Sequence, residues 1–260
     1  MDWLTRSYTT LRVRLDDAVC FVQMYRAAAG NAINEQLIAD LTAVLRDCEA
    51  HAKIVVLEGL PDVFCNGADF REIQSRFDGG GAAHDDPGPL YDLWLRLAQG
   101  PFMTIAHVRG RANAGGVGFV AACDLVVSDE KAVFSLSELL FGVMPACVLP
   151  FLVRRIGAAR ANAMTLTTQP VSAAQAKAWG LVDVCDANTE STLRILLLRL
   201  RRLERTAIAR YKRYATTLDG SLAAAKPAAL AANVEVFSDP HNLRNIARYV
   251  STGRFPWEAS

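Results

Sequence analysis

An α/β fold is predicted by three features of the sequence. Short apolar runs alternate with segments of helical period over the first part of the chain. A glycine-rich helix start follows a strand at 109–125, and helical segments dominate from about residue 148. Taken in order, LRVRLDD (11–17) and AVCFVQMY (18–25) read as a hairpin turning at the paired aspartates. NEQLIADLTAVLRDCEA (34–50) has apolar residues at 37, 38, 41, 44 and 45, a helical spacing, and KIVVLEG (53–59) is a buried strand. LPDVFCNGADF (60–70) is a loop before a short polar helix, and DGGGAAHDDPG (78–88) is the most flexible segment expected. A helix at 90–100 ends in glycine, FMTIAHVRG (102–110) is a strand, and a glycine-rich helix follows. DLVVSD (124–129) and AVFSL (132–136) are strands. Helices are expected at 149–157, 158–168 and 172–179, the last capped by Ser172, with a late strand at 181–185. Residues 190–250 read as three or four successive helices, which places a boundary near 195.

Composition narrows the classes. The 260 residues are 52% hydrophobic and 21% charged, enough apolar material for a sizeable core. A formal net charge of +1 implies no general attraction to nucleic acid. No apolar run reaches membrane-spanning length, and the N-terminal residues have no apolar signal region, so the cytoplasm is the expected location. Six cysteines without a C-x-x-C pair fit a reducing compartment. The four histidines have no ligand spacing to cysteine, so no metal site is expected.

The chemistry concentrates in RGRANAGGVGFVAACDL (109–125), with glycines at 110, 115, 116 and 118. Glycine costs a helix interior about 1 kcal/mol relative to alanine, so its clustering at a helix start calls for a reason. The first N–H groups of a helix lack internal acceptors and sit at the positive end of its dipole. Glycines there either admit a substrate oxygen to the backbone or permit close helix packing, and the motif alone leaves both open. FCNGADF (64–70) can present a second N–H, from Ala68 beside Gly67. Two converging donors would form an oxyanion hole.

FCNGADF, GRANAGGVGFVAACDL, FSLSELLFGVMP (134–145) and QAKAWGLVD (175–183) together resemble the enoyl-CoA hydratase/isomerase (crotonase) superfamily over the whole chain. The likeness extends to its polyketide β-branching dehydratase branch, of the bacillaene-cluster type, through VLEGLPDVFCNGADF, LLRLRRL and the FPWE segment. The resemblance implies a crotonase (ClpP-like) spiral of β-β-α units over 1–195. It implies a helical region at 196–260 for trimerisation and pocket closure. It assigns the oxyanion hole to the N–H groups of Ala68 and Gly115, flanked by Gly67 and Gly116. Of the two glutamates usual in the hydratases, the first falls on Gly118 and is absent; the second falls on Glu138, the expected acid/base. Burial beside Leu136, Leu139 and Leu140 is expected to raise its pKa, and the missing acid at 118 is expected to leave room near the substrate β-carbon.

Other candidates carry two readings each. Asp69 binds at the substrate loop or caps the following helix. Asn113 contacts substrate or caps the oxyanion helix. Tyr91 and Trp94, three apart on one helix, line the acyl pocket or pack in the core. Arg71, Arg76, Arg96 and His84 lie in the expected pocket roof as candidates for a distal carboxylate, or are solvated. Cys65 with His107 is a thiol–histidine pair only in composition. The basic run RLRRLERTAIARYKR (199–213) is a solvated helix face or part of a docking surface for an acidic acyl carrier protein.

The implied reaction is dehydration of 3-hydroxy-3-methylglutaryl-acyl carrier protein to 3-methylglutaconyl-acyl carrier protein. It would need no metal or organic cofactor beyond the phosphopantetheine of the carrier, or CoA. The family pattern implies a homotrimer or hexamer. A general enoyl-CoA hydratase/isomerase, the decarboxylase of the same cassette, and a catalytically silent binding module are the competing readings.

Overall fold

In the computed structural model, residues 6–79 and 86–258 are described, and the chain enters as a hairpin. Strands β1 (Leu11–Asp16) and β2 (Val19–Met24) pair antiparallel with Asp16 opposite Val19. The turn is Asp17–Ala18, both at positive φ, so it lies one residue beyond the expected aspartate pair. Two consecutive positive φ values match the right-handed twist of the flanking strands.

β2 begins a parallel series with β3 (Ile54–Glu58), β5 (Met103–Val108), β7 (Leu125–Asp129) and β10 (Val184–Asp186), giving a large sheet in the order β1-β2-β3-β5-β7-β10. Its central strands β2, β3, β5 and β7 are largely buried on both faces, as expected where both are covered. In β3, Val55 and Leu57 join the main core while Ile54 and Val56 face a second core beneath helix α8 (Thr189–Leu200). A smaller sheet, β4-β6-β8-β9, is built from β4 (Val63–Cys65), β6 (Arg111–Asn113), β8 (Val133–Ser135) and β9 (Val171–Ser172).

The chain alternates between the sheets and then turns into helix. β3 and β4 lead to α2 (Phe70–Asp78) and α3 (Gly88–Gln99); β5 and β6 lead to α4 (Gly115–Ala122); β7 and β8 lead to α5 (Leu149–Ile156). This is the β-β-α spiral. β4 occupies a stretch read as loop from sequence, and β6 one read as the approach to a helix. Helix α1 (Glu35–His51) is capped by Asn34, whose side chain accepts from Leu37 N at 3.0 Å. α6 (Ala158–Thr167) and α7 (Ala173–Trp179) follow α5, with Ser172 accepting from Gln175 N as the cap of α7.

The last helices are α9 (Arg205–Leu218), α10 (Ser221–Ser238) and α11 (Pro240–Thr252). The boundary placed near 195 lies within α8, whose Leu193 and Leu197 pack under the large sheet. Three of the seven cations of the basic run are engaged within the fold, while Arg199, Arg202, Arg210 and Arg213 are exposed. Lys212 is buried and donates to Asp124 (2.6 Å) and the Leu97 carbonyl; Arg201 pairs with Asp16, and Arg205 reaches the Glu49 and Ala50 carbonyls. All six cysteines are free, five of them buried. No described helix is long and apolar enough to cross a membrane.

Candidate active site

The cavity that receives the predicted residues forms where the ends of the small-sheet strands meet the start of α4. After β4 the chain runs through Asn66, Gly67 and Ala68. Ile33 holds this segment in a single parallel bridge: Ile33 N donates to the Gly67 carbonyl (2.7 Å) and Asp69 N to the Ile33 carbonyl (3.0 Å). The neighbours of Ala68 make those bonds, so its own N–H points to the opposite side, away from Ile33. Gly67 takes φ +88°, and a Cβ there would lie 2.6 Å from the Ala114 Cβ and 3.4 Å from Gly115 N. Glycine is therefore required for backbone conformation and for the approach of the two loops.

The second amide is aimed by Ala114, which has φ +51° and ψ −119°, a strained conformation for a residue with a side chain. The N–H groups of Val117 and Gly118 turn back to the Ala114 carbonyl. Gly115, the first residue of α4, keeps an N–H with no acceptor inside the helix. Ala68 and Gly115 both line a cavity of about 1430 Å³.

Glu138 lines the same cavity from the first position of a 3₁₀ turn, Glu138–Phe141. The residue is 9% exposed, and its Oε2 is buried with no partner among the described residues. Burial pushes its pKa up to about 7, against a smaller downward pull from the Ser137 and Glu138 amides. Near neutral pH such a group can both take and return a proton.

Asn113 ties these parts together. Its Nδ2 donates to the Asn66 carbonyl (3.3 Å) and to Ser137 Oγ (3.0 Å), and its Oδ1 accepts from Ser135 Oγ (2.8 Å). Of its two readings the helix cap is overturned: Asn113 precedes the cap position, lines the cavity and links the Ala68 loop to the Glu138 turn. Asp69 caps α2, accepting from Arg71 N and Glu72 N, and pairs with Arg26 at 3.0 Å while lining the cavity.

Three candidates do not line the cavity. Gly67 serves the loop contact described above. A Cβ on Gly116 would lie 2.3 Å from the Cys65 carbonyl, so this glycine lets α4 pack on β4. Tyr91 is fully buried, donates to the Leu222 carbonyl at 2.7 Å and packs on Phe151. The aromatic pair is therefore split, because Trp94 does line the cavity. The room expected at Gly118 is also absent. A Cβ there would meet Trp94 Cζ2 at 2.5 Å and Cη2 at 2.7 Å, so the indole fills the space.

Of the basic candidates, Arg71 and Arg76 line the cavity, with Arg76 paired to Glu35 at 3.4 Å. Arg96 pairs with Glu49 instead, and His84 lies outside the described residues. Cys65 and His107 form no pair: His107 is bonded to Glu58 at 2.9 Å, and burial pushes the Cys65 thiol up to about 12.

Sequence reasoning missed Ile33, whose bridge orients Ala68, and, although the resemblance implied pocket closure by 196–260, it named none of the α11 residues that line the cavity. Ile246 of α11 packs with Phe141 and Val143, Tyr249 meets Phe141 edge-on at 5.0 Å, and Asn245 donates to the Phe141 carbonyl. Tyr249, Val250 and Phe255 line the cavity beside Phe70 and Ile73 of α2.

The enoyl-CoA hydratase/isomerase family profile matches residues 14–260. The chain is 52% identical over 259 residues to the bacillaene synthase dehydratase PksH of Bacillus subtilis, covering 99% of both chains. The crystal structure of pksH from Bacillus subtilis superposes with a TM-score of 0.94 at 51% identity, over 96% of this chain and 100% of that one. The 2,3-dehydroadipyl-CoA hydratase of Escherichia coli is 33% identical over 178 residues, 66% of this chain and 68% of its own. The amides of Ala68 and Gly115, which have no acceptor among the described residues, the spiral that brings them together and these matches lead to one conclusion: the chain belongs to the enoyl-CoA hydratase/isomerase family.

Proposed function

We propose that the protein is a polyketide β-branching dehydratase, converting 3-hydroxy-3-methylglutaryl-acyl carrier protein to 3-methylglutaconyl-acyl carrier protein. The observation that supports this most directly is the buried carboxyl of Glu138, whose Oε2 has no partner among the described residues, in a cavity lined by Ala68 and Gly115 and with no acid at position 118. The thioester oxygen accepts from Ala68 N–H and Gly115 N–H, which acidifies the α-carbon. The Glu138 carboxylate takes the α-proton, and the C–H electron pair moves into the enolate. The enolate reforms the carbonyl and makes the α,β double bond as the C–O bond to the β-hydroxyl breaks. Glu138 gives its proton to the departing oxygen, water leaves, and the carboxylate is restored.

The substrate would arrive on the phosphopantetheine of an acyl carrier protein, with CoA as its simpler analogue, and the enzyme would work in the cytoplasm. Exposed Ile195, Leu198, Tyr211, Tyr214 and Leu218 on α8 and α9 support assembly into a homotrimer or hexamer. The test is incubation with 3-hydroxy-3-methylglutaryl-carrier protein and with its CoA analogue, followed by intact mass measurement. Loss of one water from the carrier-bound form is the expected result. Loss of carbon dioxide from the dehydrated product would reassign the protein as the decarboxylase, and no change with either would leave a binding module.

A further inference from the structure

Residue 118 is buried on α4, one turn beyond the Gly115 amide. The nearest obstacle to a side chain there is one indole. The three atoms nearest an added Cβ all belong to Trp94: Cζ2 at 2.5 Å, Cη2 at 2.7 Å and Cε2 at 3.0 Å. The same indole edge lies 3.8 Å from the Cβ position of Gly115, so it borders the space beside the oxyanion amide. Trp94 has little room to swing aside. It is 1% exposed and packed edge-on between Phe119 and Phe151, each at 5.7 Å between ring centroids. Its Nε1 is buried without a partner among the described residues. A buried N–H left unpaired is unfavourable, and a purely aliphatic residue would avoid it, so the indole is held for its shape.

We infer that Trp94 is a specificity-determining residue: its indole edge occupies the volume that a carboxylate at 118 would need, and thereby restricts the site to one acid. With one acid, the proton taken from the α-carbon is the proton given to the leaving hydroxyl. No second carboxylate holds a water for addition to a straight-chain enoyl thioester. The steric part stands on the geometry alone; the substrate part rests on the dehydratase reading.

The two parts are tested separately. A double-mutant cycle of Trp94→Phe and Gly118→Ala is read by thermal melting. Phenylalanine withdraws the Cζ2–Cη2 edge, so Gly118→Ala is expected to lower the Tm clearly in the native background and little beside Trp94→Phe. Equal losses in both backgrounds, or none in either, would overturn the steric part whatever the substrate. For specificity, Trp94→Ala/Gly118→Glu is compared with Trp94→Ala in crotonyl-CoA hydration. At least a tenfold gain in the double variant over both the single variant and the native protein is expected. Equal rates in the double and single variants would overturn the role of position 118. If the double variant fails to fold, Trp94→Ala/Gly118→Asp decides by the same hydration assay against Trp94→Ala/Gly118→Asn: a tenfold gain for the carboxylate over the amide would support the restriction to one acid, and equal rates would overturn it. Absence of dehydration by the native protein would remove the dehydratase reading and leave the thermal cycle standing.

Discussion

The floor and the roof of the cavity are made by opposite means. The floor, from the Gly67 loop through the start of α4 to Trp94, is defined by clearances too small for one extra carbon. The roof, from α2, α11 and the tail, is an aromatic stack in which Phe141, Tyr249, Phe255 and Trp257 follow one another at 4.8–5.2 Å. Close-packed backbone admits no alternative arrangement, whereas side chains meeting side chains can give way by rotamer changes. The difference teaches that the chemistry is set by excluded volume below and only covered from above. Substitutions in the floor should therefore change kcat, and those in the roof chiefly KM.

The largest effect is expected for Glu138→Gln, which removes the only carboxyl in the proposed mechanism and should cost about 10²–10⁴ in kcat. In the native enzyme kcat/KM should rise through a pKa near 7 as the base ionises, a limb the variant lacks. Stability carries the opposite sign. A carboxyl raised from 4.5 to about 7 favours its protonated form in the fold, so its contribution is full below pH 4.5 and is lost as pH climbs to about 7. Glu138→Gln should abolish that loss, roughly 2–3 kcal/mol, in denaturant melts at pH 5 and pH 8. A variant as pH-sensitive as the native protein would show that the carboxyl is not held in a low-dielectric site.

Gly67→Ala comes next. It strains a positive φ and pushes the Ala68 loop from Ala114, and loss of one oxyanion donor should lower kcat by about 10²–10³ with the fold retained by circular dichroism. Asn113→Ala unties the Ala68 loop from the Glu138 turn. A fall of about tenfold in kcat is expected, with a displaced pKa in the rate profile. A pure rise in KM would instead put Asn113 against the substrate. From the roof, Phe255→Ala should raise KM a few-fold and leave kcat within about twofold, since it removes covering surface rather than a reacting group. A loss in kcat as large as that of Gly67→Ala would erase the distinction between the two regions. The smallest effect is expected for Arg71→Ala. This exposed side chain should change stability by no more than about 0.5 kcal/mol. A selective KM increase for the substrate with a distal carboxylate would assign that group to Arg71.

Much of the large sheet was legible because its strands are five or six apolar, β-branched residues long, the length at which a buried strand stands out. Of the small sheet only β8 was, within AVFSL (132–136). Its strands have two or three residues, too few for a period, so β4 read as loop and β6 as the run-in to α4. The spiral repeat left no sequence repeat either, because each turn reuses a layout and not a set of side chains. The glycines at 67 and 115 announced that something must come close, and the family resemblance supplied what. That Gly118 is answered by Trp94 was invisible, since the two residues meet only after β5 and β6 fold between them. Tyr91 and Trp94 look equivalent on one helix face, yet one donates to α10 and the other borders the cavity, a distinction only packing can make.

The buttress of α11 against the Glu138 turn has a consequence for the order of synthesis. A ribosome delivers the acid, both amides and the indole more than a hundred residues before it delivers Tyr249 and Phe255. A nascent chain thus carries every reacting group while the turn that holds its acid still lacks the α11 buttress. Competence arrives with the closing stretch of translation, so nonsense truncations near the C-terminus should behave as null alleles even when the spiral beneath them has folded.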